Sequence, residues 1–201
     1  MNSNSHPTCR RLTAWLVLAG GLVAIILLDE DLARLVRIGG HRGELIAGWG
    51  YWLGHGAVVI PPLVLLWLLS RKLNWTRMKA CAGQAVWAFA LSGVANQILK
   101  YLIGRPRPRL LNQDIWSPGM TLASGLNSFP SGHTTTSMAV ALIFSFYYPR
   151  GAPIFMLWAA FVGAARIAGG AHFPLDVLAG VVLGLMTGWV VIHWADRHRL
   201  S

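Results

Sequence analysis

Apolar residues occur in long runs along this chain, and polar residues collect in the gaps between them. Six runs, at 12–28, 45–69, 80–103, 132–148, 152–171 and 174–195, each match the roughly 17–25 helical residues needed to cross a hydrocarbon layer. Lipid offers no hydrogen bonds to an open backbone, so each run is expected to be helical. The predicted fold is all-α, a six-transmembrane-helix bundle forming a single domain over residues 1–201. Arg10 and Arg11 precede the first run, and Asp29, Glu30 and Asp31 follow it where a cleavage site would need small residues. It is therefore read as an uncleaved span. Residues 29–44 mix acids with arginines and suit a short surface helix, and Pro61-Pro62 predicts a kink in the second span. Gly50 and Gly54 read as packing positions, and Trp75 and Trp194 as interface anchors.

Composition narrows the class. Hydrophobic residues make up 55% of the chain and charged residues 12%, with a mean hydropathy of +0.52. A disordered chain, a nucleic-acid-coating protein and an ordinary soluble enzyme are all excluded by that balance. Cys9 and Cys81 are far apart and form neither a disulfide framework nor a metal-ligand pair.

The net charge of +10 then needs an explanation. With both termini in the cytoplasm, the cytoplasmic segments hold nine basic residues and one acid, Asp196. The opposite face holds eight basic residues and six acids. The positive-inside rule favours that orientation. It leaves Lys100, Arg105, Arg107, Arg109 and Arg166 at or near helix ends on the outer face, where topology does not require them.

Those positions carry the candidate chemistry. Ser92, Asn96 and Lys100 recur at four-residue spacing along one helical face. Proline alternates with arginine through Arg105-Pro106-Arg107-Pro108-Arg109, which predicts an extended loop with splayed cations. Pro130-Ser131-Gly132-His133 reads as a helix start, whose free N–H groups and dipole attract an anion. Ser131 is its candidate cap, and His133 stands at the rim. Arg166 closes the fifth span, while His172 and Asp176 share a face at the start of the sixth. Gly180, Gly184 and Gly188 continue that face as a packing seam and turn it towards the bundle. Cations and N–H donors suit phosphoryl oxygens, and two histidines suit attack on phosphorus and protonation of a leaving oxygen. No zinc motif accompanies them and few carboxylates lie near, which suggests metal-independent phosphoryl transfer.

Three blocks with these residues, Lys100-YLIGRP-Arg107-Pro108, Pro130-Ser131-Gly132-His133 and Arg166-IAGGA-His172-FPL-Asp176, match in order and spacing the motifs of the type 2 phosphatidic acid phosphatase (PAP2) superfamily, which the chain resembles. One position departs: Ala165 stands where the family has serine before the arginine. The resemblance implies that His172 is the nucleophile of a phosphohistidine route, Asp176 its orienting carboxylate and His133 the general acid. It implies that Lys100, Arg107, Ser131, Gly132 and Arg166 hold the phosphate, with no metal and no cofactor. Arg105 and Arg109 fall outside the motif and are weak candidates for a second phosphate or a headgroup. The expected function is a lipid phosphate or diphosphate phosphatase of a bacterial inner membrane with a periplasm-facing site. Its partners are the bilayer and a phospholipid or polyprenyl phosphate, not nucleic acid. Undecaprenyl diphosphate, phosphatidylglycerol phosphate and phosphatidic acid rank slightly ahead of lipid A as substrates. Lipid-to-lipid phosphotransfer and non-enzymatic transport of anionic lipids are the alternative readings.

Overall fold

A computed structural model describes residues 20, 21, 23, 27–110, 119–120 and 125–197. Most of the first apolar run and all of 111–118 and 121–124 lie outside the described residues, as does Cys9. Seven α-helices are present among the described residues: α1 (Asp29–Val36), α2 (Gly40–Gly54), α3 (Gly56–Lys72), α4 (Thr76–Ile103), α5 (Gly132–Tyr147), α6 (Ala152–Ala168) and α7 (Pro174–Arg197). The fold is all-α, and four helical stretches, 40–72, 76–110, 149–168 and 174–197, are long and apolar enough to cross a membrane.

The run at 132–148 behaves differently. It forms the 16-residue α5, about 24 Å long at 1.5 Å per residue. α5 packs against α4, α6 and α7, and its residues from Thr134 to Ala141 are all buried. Around it Cys81, Ala85, Ala139, Ile143 and Val191 form the core, while Trp87, Val94, Ile154, Leu157 and Val182 point outward. A helix buried along its length and enclosed by other helices is the bundle's centre.

Small residues set the spacing. A Cβ on Gly184 would lie 2.5 Å from the Thr135 carbonyl oxygen, and one on Gly180 would lie 2.8 Å from that of Ser131. The predicted seam is therefore the α5–α7 contact. A second seam joins α2 to α6: a Cβ on Gly50 would lie 2.2 Å from that of Ala165, and one on Gly54 would lie 2.7 Å from Val162 Cγ1. Ala165 is thus buried against α2, and a serine hydroxyl there would start from the helix seam.

Two local expectations change. The second span is broken at His55, not at Pro61-Pro62, which lie inside α3. His55 has extended backbone, φ −78° and ψ 134°, and its Nδ1 accepts the Ala57 N–H at 3.2 Å. A side-chain acceptor at a helix start substitutes for the missing helical carbonyl and stabilises the break. The arginine–proline loop is extended only as far as Arg107. Pro108–Leu110 then form one 3₁₀ turn, in which the first-position proline forfeits no hydrogen bond. The helix expected within 29–44 is α1, but its Asp29 points inward and is buried.

Candidate active site

The chain's turns gather the motif residues at one end of the bundle. Lys100 closes α4, Gly132 and His133 open α5, and Arg166 lies in the last turn of α6. His172 and Asp176 flank the start of α7. Lys100, Arg107, Gly132, His133, Arg166 and His172 all line one cavity of about 360 Å³. Ser131 stands behind its wall, fully buried, with its hydroxyl accepting from Thr134 Oγ1 at 3.0 Å. It occupies the N-cap position but makes no side-chain cap bond. The donors of this turn are the first N–H groups of α5, for which no helical carbonyl is available.

His172 is 2% exposed. Its Nδ1 side faces Asp176 Oδ2 and Ser128 Oγ, each at 3.5 Å. That leaves Nε2 as the opposite ring nitrogen, on a side chain that lines the cavity. Burial pushes the imidazole pKa down to about 4, against the opposing pull of Asp176, and nearby Lys100 and Arg107 push it the same way as burial. His172 is therefore neutral through the physiological range, with a ring nitrogen lone pair free, as a nucleophile needs.

Asp176 is fully buried and heavily bonded. Its Oδ2 accepts from Ser128 Oγ at 2.5 Å and from the Phe173 N–H at 2.9 Å. The second contact is the reach-back of an acid in the first helical turn to the N–H at the helix start. Its Oδ1 accepts from Arg105 Nη1 at 2.7 Å. Arg105 is thus committed to the interior, and the expectation that it meets a headgroup is corrected. Arg109 is exposed and does not line the cavity.

Two of the cations are fixed by a residue with no local signature. Asn127 accepts from Arg107 Nε through Oδ1 at 3.0 Å, and its backbone carbonyl accepts from Lys100 Nζ. Asn96 donates to the Pro130 carbonyl at 3.2 Å and to Thr135 Oγ1 at 3.1 Å, anchoring the start of α5 to α4. Arg166 lies 5.6 Å from the Tyr51 ring, and its buried Nε has no protein partner, as is true of His133 Nε2. Two unsatisfied polar atoms in one cavity wall suit a polar ligand.

Tyr51 and His55 were not singled out as site residues from sequence, yet both line the cavity. Their rings are 4.9 Å apart, and they stand 5.1 Å and 6.1 Å from the His133 ring. Their four-residue spacing, Tyr51 in the last turn of α2 and His55 at the break after it, was the available signal. Among the described residues no group of three His, Cys, Asp or Glu side chains is placed to hold a metal.

Comparison with known proteins gives a consistent result. The PAP2 superfamily model matches residues 81–200, which include every motif residue. The chain is 34% identical over 157 residues to a lipid A 1-phosphatase of Rhizobium johnstonii; the match takes in 72% of this chain and 63% of that protein, so less than two thirds of its length is spanned. It is 31% identical to a decaprenylphosphoryl-5-phosphoribose phosphatase of Mycobacterium tuberculosis, over 75% of this chain and 73% of that one. The crystal structure of Aquifex aeolicus LpxE superposes with a TM-score of 0.65 at 27% identity, covering 83% of this chain and 95% of that chain.

Proposed function

The chain belongs to the PAP2 superfamily, and on that premise we propose that it is a metal-independent lipid phosphatase working through a phosphohistidine. The observation that carries this reading is a single cavity in which a neutral His172, three cations and His133 converge. In the first step His172 Nε2 attacks phosphorus and a phosphorus–nitrogen bond forms. The bond from phosphorus to the leaving oxygen breaks, and His133 donates the proton that oxygen takes up. Water then attacks the phosphohistidine and gives up a proton to His133, and the phosphorus–nitrogen bond breaks to release inorganic phosphate, neutral His172 and reprotonated His133. Lys100, Arg107, Arg166 and the first N–H groups of α5 hold the phosphoryl oxygens, whose charge spreads in the transition state. Asp176 holds the Nδ1 proton and supports the developing cation.

The substrate class follows from what lines the cavity. Tyr51, His55 and Phe89 line the same cavity as the cations Lys100, Arg107 and Arg166, and the Tyr51 and His55 rings stand beside His133, the proposed acid. Arg166 lies over the Tyr51 ring and is already among the three cations assigned to one phosphate, and aromatic rings beside the leaving group suit the apolar face of a sugar. A phosphate carried on a lipid-linked sugar, of the lipid A type, therefore ranks ahead of a polyprenyl diphosphate, reversing the order expected from sequence. The similarity to a lipid A 1-phosphatase supports the same order. In this reading the site faces the periplasm across a bacterial inner membrane, which the excess of basic residues in the segments of the opposite face supports.

The test is phosphate release from a panel of lipid A, polyprenyl diphosphate and glycerophospholipid phosphates in detergent with EDTA. Wild type is expected to release phosphate fastest from lipid A, and His172→Ala to lose at least about 10³-fold. Full activity in His172→Ala overturns the mechanism. Label recovered in a second lipid would favour phosphotransfer, and lipid flux without phosphate release would favour transport.

A further inference from the structure

The family motifs do not use Arg105 or Asp29, yet the structure ties both to the catalytic carboxylate. Arg105 bridges two acids, with Nη1 2.7 Å from Asp176 Oδ1 and Nη2 2.6 Å from Asp29 Oδ2. Asp29 is 4% exposed and Asp176 fully buried, so both carboxylate ends of the bridge lie in the interior, with Arg105 partly buried between them. The remaining oxygen of Asp29 accepts the Leu175 N–H at 2.8 Å, at the start of α7. The guanidinium also lies 4.0 Å over the Phe173 ring, between His172 and Pro174 in the chain. These contacts link positions 71, 76 and 146 residues apart.

The cost of such an arrangement limits what it is for. A buried carboxylate without a partner is strongly disfavoured, and a cation bridging two carboxylates leaves one net negative charge in the cluster. Stability alone would be served as well by apolar residues of the same volume. The cluster instead ends on the carboxylate that faces His172 Nδ1.

We propose that Arg105 and Asp29 are positioning residues that set the charge and orientation of Asp176, and through it the basicity of His172. The inference rests on the phosphohistidine reading above. Arg105 draws on Oδ1 and so moderates the pull of Asp176 on the imidazole. Asp29 opposes Arg105 in turn and fixes it to the N-terminus of α7. Besides these three, the charged and titratable groups that share the cavity with His172 are Tyr51 and His55 at the end of α2, Lys100 on α4, Arg107 on the loop, His133 on α5 and Arg166 on α6. All six are unchanged in the variants below.

The experiment measures the acid limb of kcat/KM in wild type and four variants. In wild type activity falls as pH drops through about 4, where His172 takes up a proton. Arg105→Gln removes a positive charge, so protonated His172 is stabilised and the limb moves up by about half to one pH unit. Asp29→Asn removes a negative charge, and its limb moves down. The double variant restores the net charge of the cluster and returns the limb towards the wild-type position. Arg105→Lys keeps the charge and leaves the limb in place. A nitrogen NMR titration of His172 in the same variants reads the same directions without turnover, so absence of phosphatase activity does not touch this test. A merely structural role predicts lowered melting temperatures with superimposable limbs. That result, or limbs moving the same way in both single variants, overturns the proposal.

Discussion

His172 and His133 have the same side chain and opposite surroundings. His172 is backed by Asp176 and Ser128 on its Nδ1 side, whereas the buried Nε2 of His133 has no protein partner. A histidine that is oriented by a carboxylate suits attack, and one with a free nitrogen in the cavity suits proton delivery to a leaving group. The second role depends on the substrate, because a good leaving group needs no proton. His133→Ala is expected to lose about 10²–10⁴-fold on a lipid phosphate and much less on nitrophenyl phosphate. Equal losses on the two substrates would remove His133 from the acid role. The motif residues were legible as chemistry because their types and spacing are local. Asn127, Ser128 and the partners of Arg105 were not. Each acts through a contact 20 or more residues away in sequence, and an asparagine or serine in a loop looks the same with or without such a partner.

At the scale of elements, the spans were readable because hydrocarbon selects unbroken apolar runs, and the glycine seams because close approach excludes side chains. The break at His55 was hidden. Gly54-His55-Gly56 lies between apolar stretches, and the nearby prolines drew the expectation seven residues too far along to Pro62. Proline tolerates a place within α3 once the chain has already turned at His55. The α5–α7 seam carries the prediction here. Gly184→Ala places a methyl group 2.5 Å from backbone oxygen, and we expect it to cost about 1–3 kcal/mol. Gly48→Ala meets nothing within 4 Å and should be neutral or mildly stabilising. Thermal unfolding in detergent compares the two, and equal melting temperatures would remove the seam from the account of stability.

Across the whole molecule, charge and chemistry divide between the two ends of the bundle. Arg71, Lys72, Arg77 and Arg150 cluster where α3 meets α4 and α5 meets α6, and Arg77 donates to the carbonyl of Tyr147 there. The motif residues meet at the other end. Single cysteines placed at Lys72 and Arg109 in a cysteine-free background should therefore react differently with an impermeant reagent in intact cells. Labelling of position 109 but not 72 is expected, and the reverse would turn the orientation over. The brevity of α5 has a consequence for how such an enzyme meets its substrate. A hydrocarbon core is about 30 Å thick and α5 is about 24 Å long, so with its Tyr147 end set at the inner boundary the turn at Gly132 would stop about 6 Å short of the outer one. Under the proposed function, reaction at that depth would require no extraction of the lipid: the phosphate would be pulled down into a recess while the acyl chains stay in their leaflet. Of the two products, only the small anion has to change phase.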